Sequence, residues 1–447
     1  MSALRGVILV VAVIGVIALG AFLWIVLGPD ATDFAAGPKT ALSNYRAGQI
    51  SGVPASLKQA GMVQKGEYLA RAADCLACHT GAGGKPMAGG RGFITPFGTL
   101  YSTNITPDKE TGIGNYTDAE FLNAVQRGVR KDGAHLYPAM PFASYTVMTD
   151  DDALAIKAYL FSLPAVVAPP HDNALSFPFN QRLLLAGWSL LFNSDRRFEA
   201  NTQQTPEWNR GAYVAEALAH CGECHTPRNL FYAVDNRRKF AGELIAGWRA
   251  YNISSDSATG IGAWEENDLL NYLATGHAPG HGTASGPMGE AVDFSLRWMT
   301  REDVHAVMVY LRSVPPKASP DLAAMLAAPA PESHRAGAPD NARGKQIFEG
   351  ACVSCHDWTG TSPITPFATL TGARAVNDPS AVNVVQAVIG GIVRQTPEGT
   401  AFMPAFGSTH SDVEIAAVAN YVTGRFGGKA SQVTEKDVAE LRSQDPP

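Results

Sequence analysis

The sequence predicts an all-α protein in which three small helical units follow one another behind a single membrane-spanning helix. Three observations lead there: an uncharged apolar run at the N-terminus, a Cys-x-x-Cys-His figure present three times, and a related helical frame around each copy. A chain of 447 residues suggests about three domains on length alone. Its 35 basic and 41 acidic residues, net -6, with no basic tract, give no reason to expect nucleic acid.

The first element is residues 1–29. "GVILVVAVIGVIALGAFLWIVLG", from Gly6 to Gly28, carries no charge and is almost wholly apolar. About 20 such residues cross a bilayer as a helix, whereas a secretory signal has a shorter apolar core and a small-x-small cleavage site. Only "FAA" at 34–36 resembles such a site, so an uncleaved anchor is expected. Arg5 precedes the run and Asp30 and Asp33 follow it, which keeps the N-terminus cytoplasmic and exports the rest. Residues 30–64 form a lead segment.

The repeated units come next, at 65–165, 207–314 and 342–428. Each opens on a glycine-bearing helical lead: "KGEYLARAADCLACH", "RGAYVAEALAHCGECH" and "RGKQIFEGACVSCH". Each closes on a capped helix, for which Thr149, Thr300 and Thr409 are the expected N-caps, with Asp152, Asp303 and Asp412 three residues on. Units one and two also share "TGIGNY" at 111–116 and "TGIGAW" at 259–264.

Cys-x-x-Cys-His reads as covalent attachment of haem c: two thiols add to the vinyl groups and the adjacent histidine reaches the iron. The three copies use all six cysteines, Cys75, Cys78, Cys221, Cys224, Cys352 and Cys355, with His79, His225 and His356 as iron ligands. Disulfides in an exported chain would need no histidine after each pair. Zinc or dithiol redox sites use the same cysteines, and a triplicate figure makes them the weaker reading. The three units are therefore expected to be tandem cytochrome c domains with three covalently bound haem c.

An electron-transfer haem takes a second axial ligand, and methionine there raises its potential. Unit three offers only Met403 between its motif and its closing helix. The matching positions are Met140 in "YPAMPFASY" and Met288 in "SGPMGEA", with His277 and His281 as rivals to Met288 and His135 as a weaker rival to Met140. Met148 and Met299, just before the N-caps, read as hydrophobic staples. Pro227 offers a carbonyl to the His225 ring, and Arg91, Tyr101, Asn104, Tyr251 and Asn252 are candidates for haem propionates.

Two connections complete the chain. Residues 166–206 contain "FPFNQRLLLAGWSLLF", too short to span a bilayer and expected to pack between haem domains or to meet a partner or the membrane surface. Residues 315–341 are Pro/Ala-rich and expected to be an extended tether that lets unit three sit apart. Residues 429–447 are expected to be a polar tail.

With three motifs, "PFGTLYSTNITPDKETGIG" at 96–114, "HLYPAMPFASY" at 135–145 and the "FPFNQR" connector, the chain resembles tri-haem cytochrome c subunits of bacterial membrane-bound dehydrogenases. The resemblance covers nearly all of 65–428. It implies a catalytic dehydrogenase partner of molybdopterin, PQQ or flavin type, a small iron-sulfur subunit as a further companion, and ubiquinone as acceptor at the cytoplasmic membrane. It also implies axial pairs His79–Met140, His225–Met288 and His356–Met403. The N-terminal anchor and polar tail lean toward an aldehyde dehydrogenase partner. No nucleophile–base pair or phosphate loop points to substrate chemistry in this chain, so no catalytic residue is expected. A peroxidase with one open iron and a stand-alone electron carrier are the competing readings.

Overall fold

The computed structural model describes residues 2–46, 51–319, 322–323, 342–396 and 399–444. α1 (Ser2–Val26) is a continuous helix whose apolar stretch Val7–Val26 is not buried against the rest of the protein. Unit one comprises α2 (Met62–Ala72), α3 (Cys75–Cys78), α4 (Asp118–Arg127), α5 (Phe142–Tyr145) and α6 (Asp150–Ser162). α7 (Leu183–Phe192) lies in the connector. Unit two follows with α8 (Pro206–Tyr213), α9 (Gly222–His225), α10 (Glu266–Thr275), α11 (Gly286–Phe294) and α12 (Arg301–Ser313). Unit three has α13 (Ala342–Ile347), α14 (Val353–His356), α15 (Val382–Gly390) and α16 (Asp412–Phe426), and α17 (Glu435–Arg442) comes after it. The framework is helical as expected, with short antiparallel hairpins added, such as Gly92–Thr95 on Gly98–Tyr101 and Ile392–Thr396 on Gly399–Met403.

In every unit the opening helix crosses the closing helix at the glycine noted in the sequence. A Cβ at Gly66 would run into the carbonyl of Ala155, at Gly211 into that of Ala306, and at Gly344 into that of Ala417. Close helix approach is thus the reason for the repeated glycine. The opening helices differ in length before the first cysteine. α8 and α13 run on into π-helical turns at Val214–Leu218 and Phe348–Cys352, whereas α2 passes to its motif without one.

Thr149 and Thr300 cap their helices as expected, accepting from the N–H of Asp152 and Asp303. The two aspartates do not complete a reciprocal cap, because their carboxylates are used across the chain. Asp152 accepts from Tyr213 Oη at 2.7 Å, and the Thr149 N–H donates to the same hydroxyl. Asp303 accepts from Tyr68 Oη, and the Thr300 N–H donates to it. Tyr68 and Tyr213 hold equivalent places in the two leads, so each unit inserts one tyrosine at the other's closing helix. Arg210 adds two bonds of 2.8 Å to Asp303 and reaches the lead segment at Ser51 O. One contiguous core, including Leu69, Met148, Leu218 and Tyr310, runs through both units.

Unit three departs from the expected cap. Its helix starts at Ser411, not Thr409: the Ser411 side chain takes the Glu414 N–H while Glu414 Oε2 accepts from the Ser411 N–H at 2.9 Å. Thr409 lies in the preceding turn, bonded to Phe406 O, and Asp412 pairs with Arg442 at 2.7 Å. The Ser411 bonds and nearby Arg343 draw Glu414 from 4.5 down to about 2. The folded state then binds fewer protons than the unfolded one between those values, so this contribution is present above pH 4.5 and is lost as pH falls toward 2. Glu414→Gln is expected to lower stability at neutral pH and to flatten this part of the acid limb, read by urea unfolding across pH.

Unit three is not held apart. Most of the expected tether, residues 320–321 and 324–341, lies outside the described residues, but unit three docks on unit two through buried polar groups. Arg394, 1% exposed, sits 3.2 Å from Asp293 and donates to Gly289 O and, at 3.2 Å, to Thr275 O. Asp378, equally buried, meets Arg249 and Tyr251 at 3.2 Å each. Unit three also keeps a core of its own around Phe348, Ile415 and Tyr421. The expected polar tail is in part a folded element: α17 buries Val438 and Leu441 against that core.

Candidate haem-attachment sites

Each Cys-x-x-Cys-His figure begins at or within a short helical turn directly after an opening helix, as adjacent sulfurs and a following histidine require. The histidines share one arrangement. His79 Nδ1 donates to Thr103 O at 2.7 Å, His225 Nδ1 to Tyr251 O at 2.6 Å, and His356 Nδ1 to Ala368 O at 2.6 Å. A carbonyl can only accept, so Nδ1 carries the proton and Nε2 keeps its lone pair for a metal. Burial pushes all three imidazoles down, His225 to about 4, which keeps them neutral and able to ligate. For His225 the carbonyl is that of Tyr251, not of Pro227, whose oxygen accepts from the Asp235 N–H instead.

Burial also pushes the thiols up, Cys75, Cys78 and Cys221 to about 12 and Cys224 and Cys352 to about 11. Such surroundings suit a neutral sulfur, as in a thioether, better than a thiolate. Near the second motif, Glu223 accepts from Ser144 Oγ of unit one at 2.7 Å and His220 packs on Tyr145, so the two units meet beside it. The donor set therefore fits haem c.

The methionines sit in three different settings. Met140 ends the turn from Tyr137 and packs with its unit's core; Met288 lies in the first turn of α11; Met403 ends a strand, paired with Ile392. Gly391, at φ 71°, lets the chain pass closely over the Met403 carbonyl. Of the rival histidines, His135 has a buried Nδ1 without a hydrogen-bond partner among the described residues, and the two rivals to Met288 have partners elsewhere. His277 bonds Thr283 and packs on Phe367, and His281 stacks on Trp264 at 3.7 Å beside Asp268. His220 packs against Tyr145.

Several propionate candidates have structural work. Asn104 ties its loop to Val166 O, and Asn252 does the same at Lys317 O. Arg91 bonds Ala77 O and pairs with Glu290 at 2.8 Å, joining motif one to α11. Sequence reasoning missed the Thr103, Tyr251 and Ala368 carbonyls and Arg394. A backbone acceptor has no side-chain signature, and nothing local marks an arginine for burial in a neighbouring unit.

Closely spaced cysteines after an opening helix, a histidine oriented through Nδ1, and a closing helix crossed at glycine define a c-type cytochrome. The cytochrome c family matches residues 63–164, and cytochrome c oxidase, cbb3-type, subunit III matches residues 339–422. The chain is 37% identical to the fructose dehydrogenase cytochrome subunit of Gluconobacter japonicus over 90% of this chain and 86% of that one. It is 38% identical to the gluconate 2-dehydrogenase cytochrome c subunit of Pantoea cypripedii, covering 86% and 90%. The alcohol dehydrogenase (quinone) cytochrome c subunit of Gluconobacter oxydans is 35% identical, covering 86% and 83%. The chain belongs to this family of cytochrome c subunits of bacterial dehydrogenase complexes, and its role is electron transfer within such a complex.

Proposed function

We propose that the chain is the membrane-anchored, tri-haem subunit of an exported dehydrogenase complex and passes electrons from the catalytic subunit to ubiquinone. The observation that carries the count is the carbonyl-tied histidine, present in unit two as in units one and three. Each haem, when bound, supplies a one-electron ferric/ferrous couple. Cys75 and Cys78, Cys221 and Cys224, and Cys352 and Cys355 would tether the three groups, and His79, His225 and His356, each with a free Nε2, would ligate iron. Met140, Met288 and Met403 would supply the second ligands, since a thioether favours the reduced state.

We read the order as one–two–three, which is supported by the shared core of units one and two and by the docking of unit three on unit two. α1 crosses the cytoplasmic membrane with its N-terminus inside, and the three units stand on the outer side. A molybdopterin aldehyde dehydrogenase, with a small iron-sulfur subunit, is the catalytic partner we favour, on the N-terminal position of the anchor. The fructose, gluconate and alcohol relatives make a flavin or PQQ partner the second reading.

Purified in mild detergent, the complex is expected to contain three haems per copy of this chain by haem-to-protein ratio. Replacing both cysteines of one motif by serine is expected to remove one haem; a ratio of two in the parent protein would sink the count. Molybdenum in the copurified subunit, with aldehyde reducing the haems, supports the first partner, and flavin or PQQ the second.

A further inference from the structure

The connector was expected to pack between haem domains or to meet a partner or the membrane surface, and no residue of α7 is buried. One side of the helix rests on the protein: Trp188 packs on Phe142, donates to Phe231 O at 2.9 Å, and is followed by Phe192 against the Phe231 ring. The other side, Leu183, Leu184, Gly187 and Leu190, faces outward without a polar atom beyond the backbone. Leu183 is 85% and Leu190 84% exposed, and Phe177, earlier in the connector, and Leu230, next to Phe231, are 79% and 85% exposed. Exposed apolar side chains gathered on one helix face call for a cover.

What covers it follows from its position relative to α1. Phe22, one turn before the end of α1, packs edge-on against Phe231 with ring centres 6.1 Å apart, and Phe231 meets Phe192 at 5.8 Å. Trp24 lies under the Arg237 guanidinium at 4.0 Å, and that group also donates to Trp24 O. Asn236 bonds Pro29 O, and Arg196 pairs with Asp30 at 2.6 Å, so the exit of α1 is fixed to unit two and the connector. Tryptophan and arginine at a helix end mark the headgroup level. Ring contacts then carry that level directly into α7. The helix is about 15 Å long, half of what a crossing needs, and so can lie along the boundary but not span it.

We propose that α7, with Phe177, Leu230 and Phe231, is seated in the lipid–water boundary of the membrane that α1 crosses, its outward leucines among the acyl chains. The inference rests on the reading of α1 as a membrane span. Two seats, one spanning and one lying flat, fix the orientation of units one and two relative to the lipid.

The test uses the full-length complex in nanodiscs of phosphatidylglycerol and phosphatidylcholine carrying a photoactivatable group in the acyl chain, with labelled peptides mapped by mass spectrometry. Labelling is expected in Val7–Val26 and also in peptides containing Leu183–Leu190 and Leu230–Phe231. Label in Val7–Val26 alone overturns the proposal and leaves the anchor standing. Absence of label from both removes the anchor reading and the proposal with it. Label on α7 that appears only after the catalytic subunit is stripped away assigns the surface to that subunit and likewise overturns it.

Discussion

Met403→Ala is expected to lower the reduction potential of one haem by on the order of 100 mV, a fraction of the ~0.8 V over which axial ligands tune haem iron. The other two should not move. A thioether stabilises ferrous iron, and Met403 is the methionine that unit three offers between its motif and α16. Spectroelectrochemical titration of the reduced bands, together with loss of one methionine-to-iron charge-transfer band, reads the effect. Met403→Leu, which keeps an apolar side chain of similar size, should give the same drop; that separates ligation from packing at the end of the hairpin. Three unchanged potentials would show that Met403 is not a ligand.

Asp303→Ala is expected to destabilise the pair formed by units one and two by about 3–5 kcal/mol, the usual cost of leaving one charge of a buried pair alone. The carboxylate is 3% exposed as a residue and holds Arg210 through two bonds, while Tyr68 reaches it from unit one. The double variant Arg210→Met with Asp303→Leu should cost less than Asp303→Ala, since no unpaired charge remains. Urea unfolding of the haem-loaded protein makes the comparison. Equal losses for the single and double variants would mean that shape, not charge, holds this interface.

Features set by a few neighbouring residues were legible in the sequence, and features set by distant ones were not. The haem motifs, the closing helices of units one and two and the apolar run at the N-terminus each rest on local patterns. The third cap misled because two signals overlap within six residues. Thr409 with Asp412 matches the pattern, but Ser411 with Glu414 closes both bonds, and Asp412 has Arg442 to face instead. The repeated glycine was visible while its reason was not, since that depends on which carbonyl of another helix lies above it. The carbonyl of Tyr251 and the burial of Arg394 belong to the same class, being properties of loops brought together only in the folded chain. The connector stayed open between protein, partner and lipid for a related reason: an apolar decapeptide looks the same whatever covers it.

Units one and two bury like surfaces in each other, each giving a tyrosine and receiving one. That is the logic of an isologous dimer written into a single polypeptide, and such a contact closes on itself instead of propagating. Unit three carries the same scaffold, but at the corresponding place, three residues after its cap Ser411, it has Glu414, which pairs with Arg343 of its own opening helix. The contact surface of the pair is therefore matched and closed within one molecule, and unit three, whose acid at this place is engaged inside its own unit, stands outside that exchange.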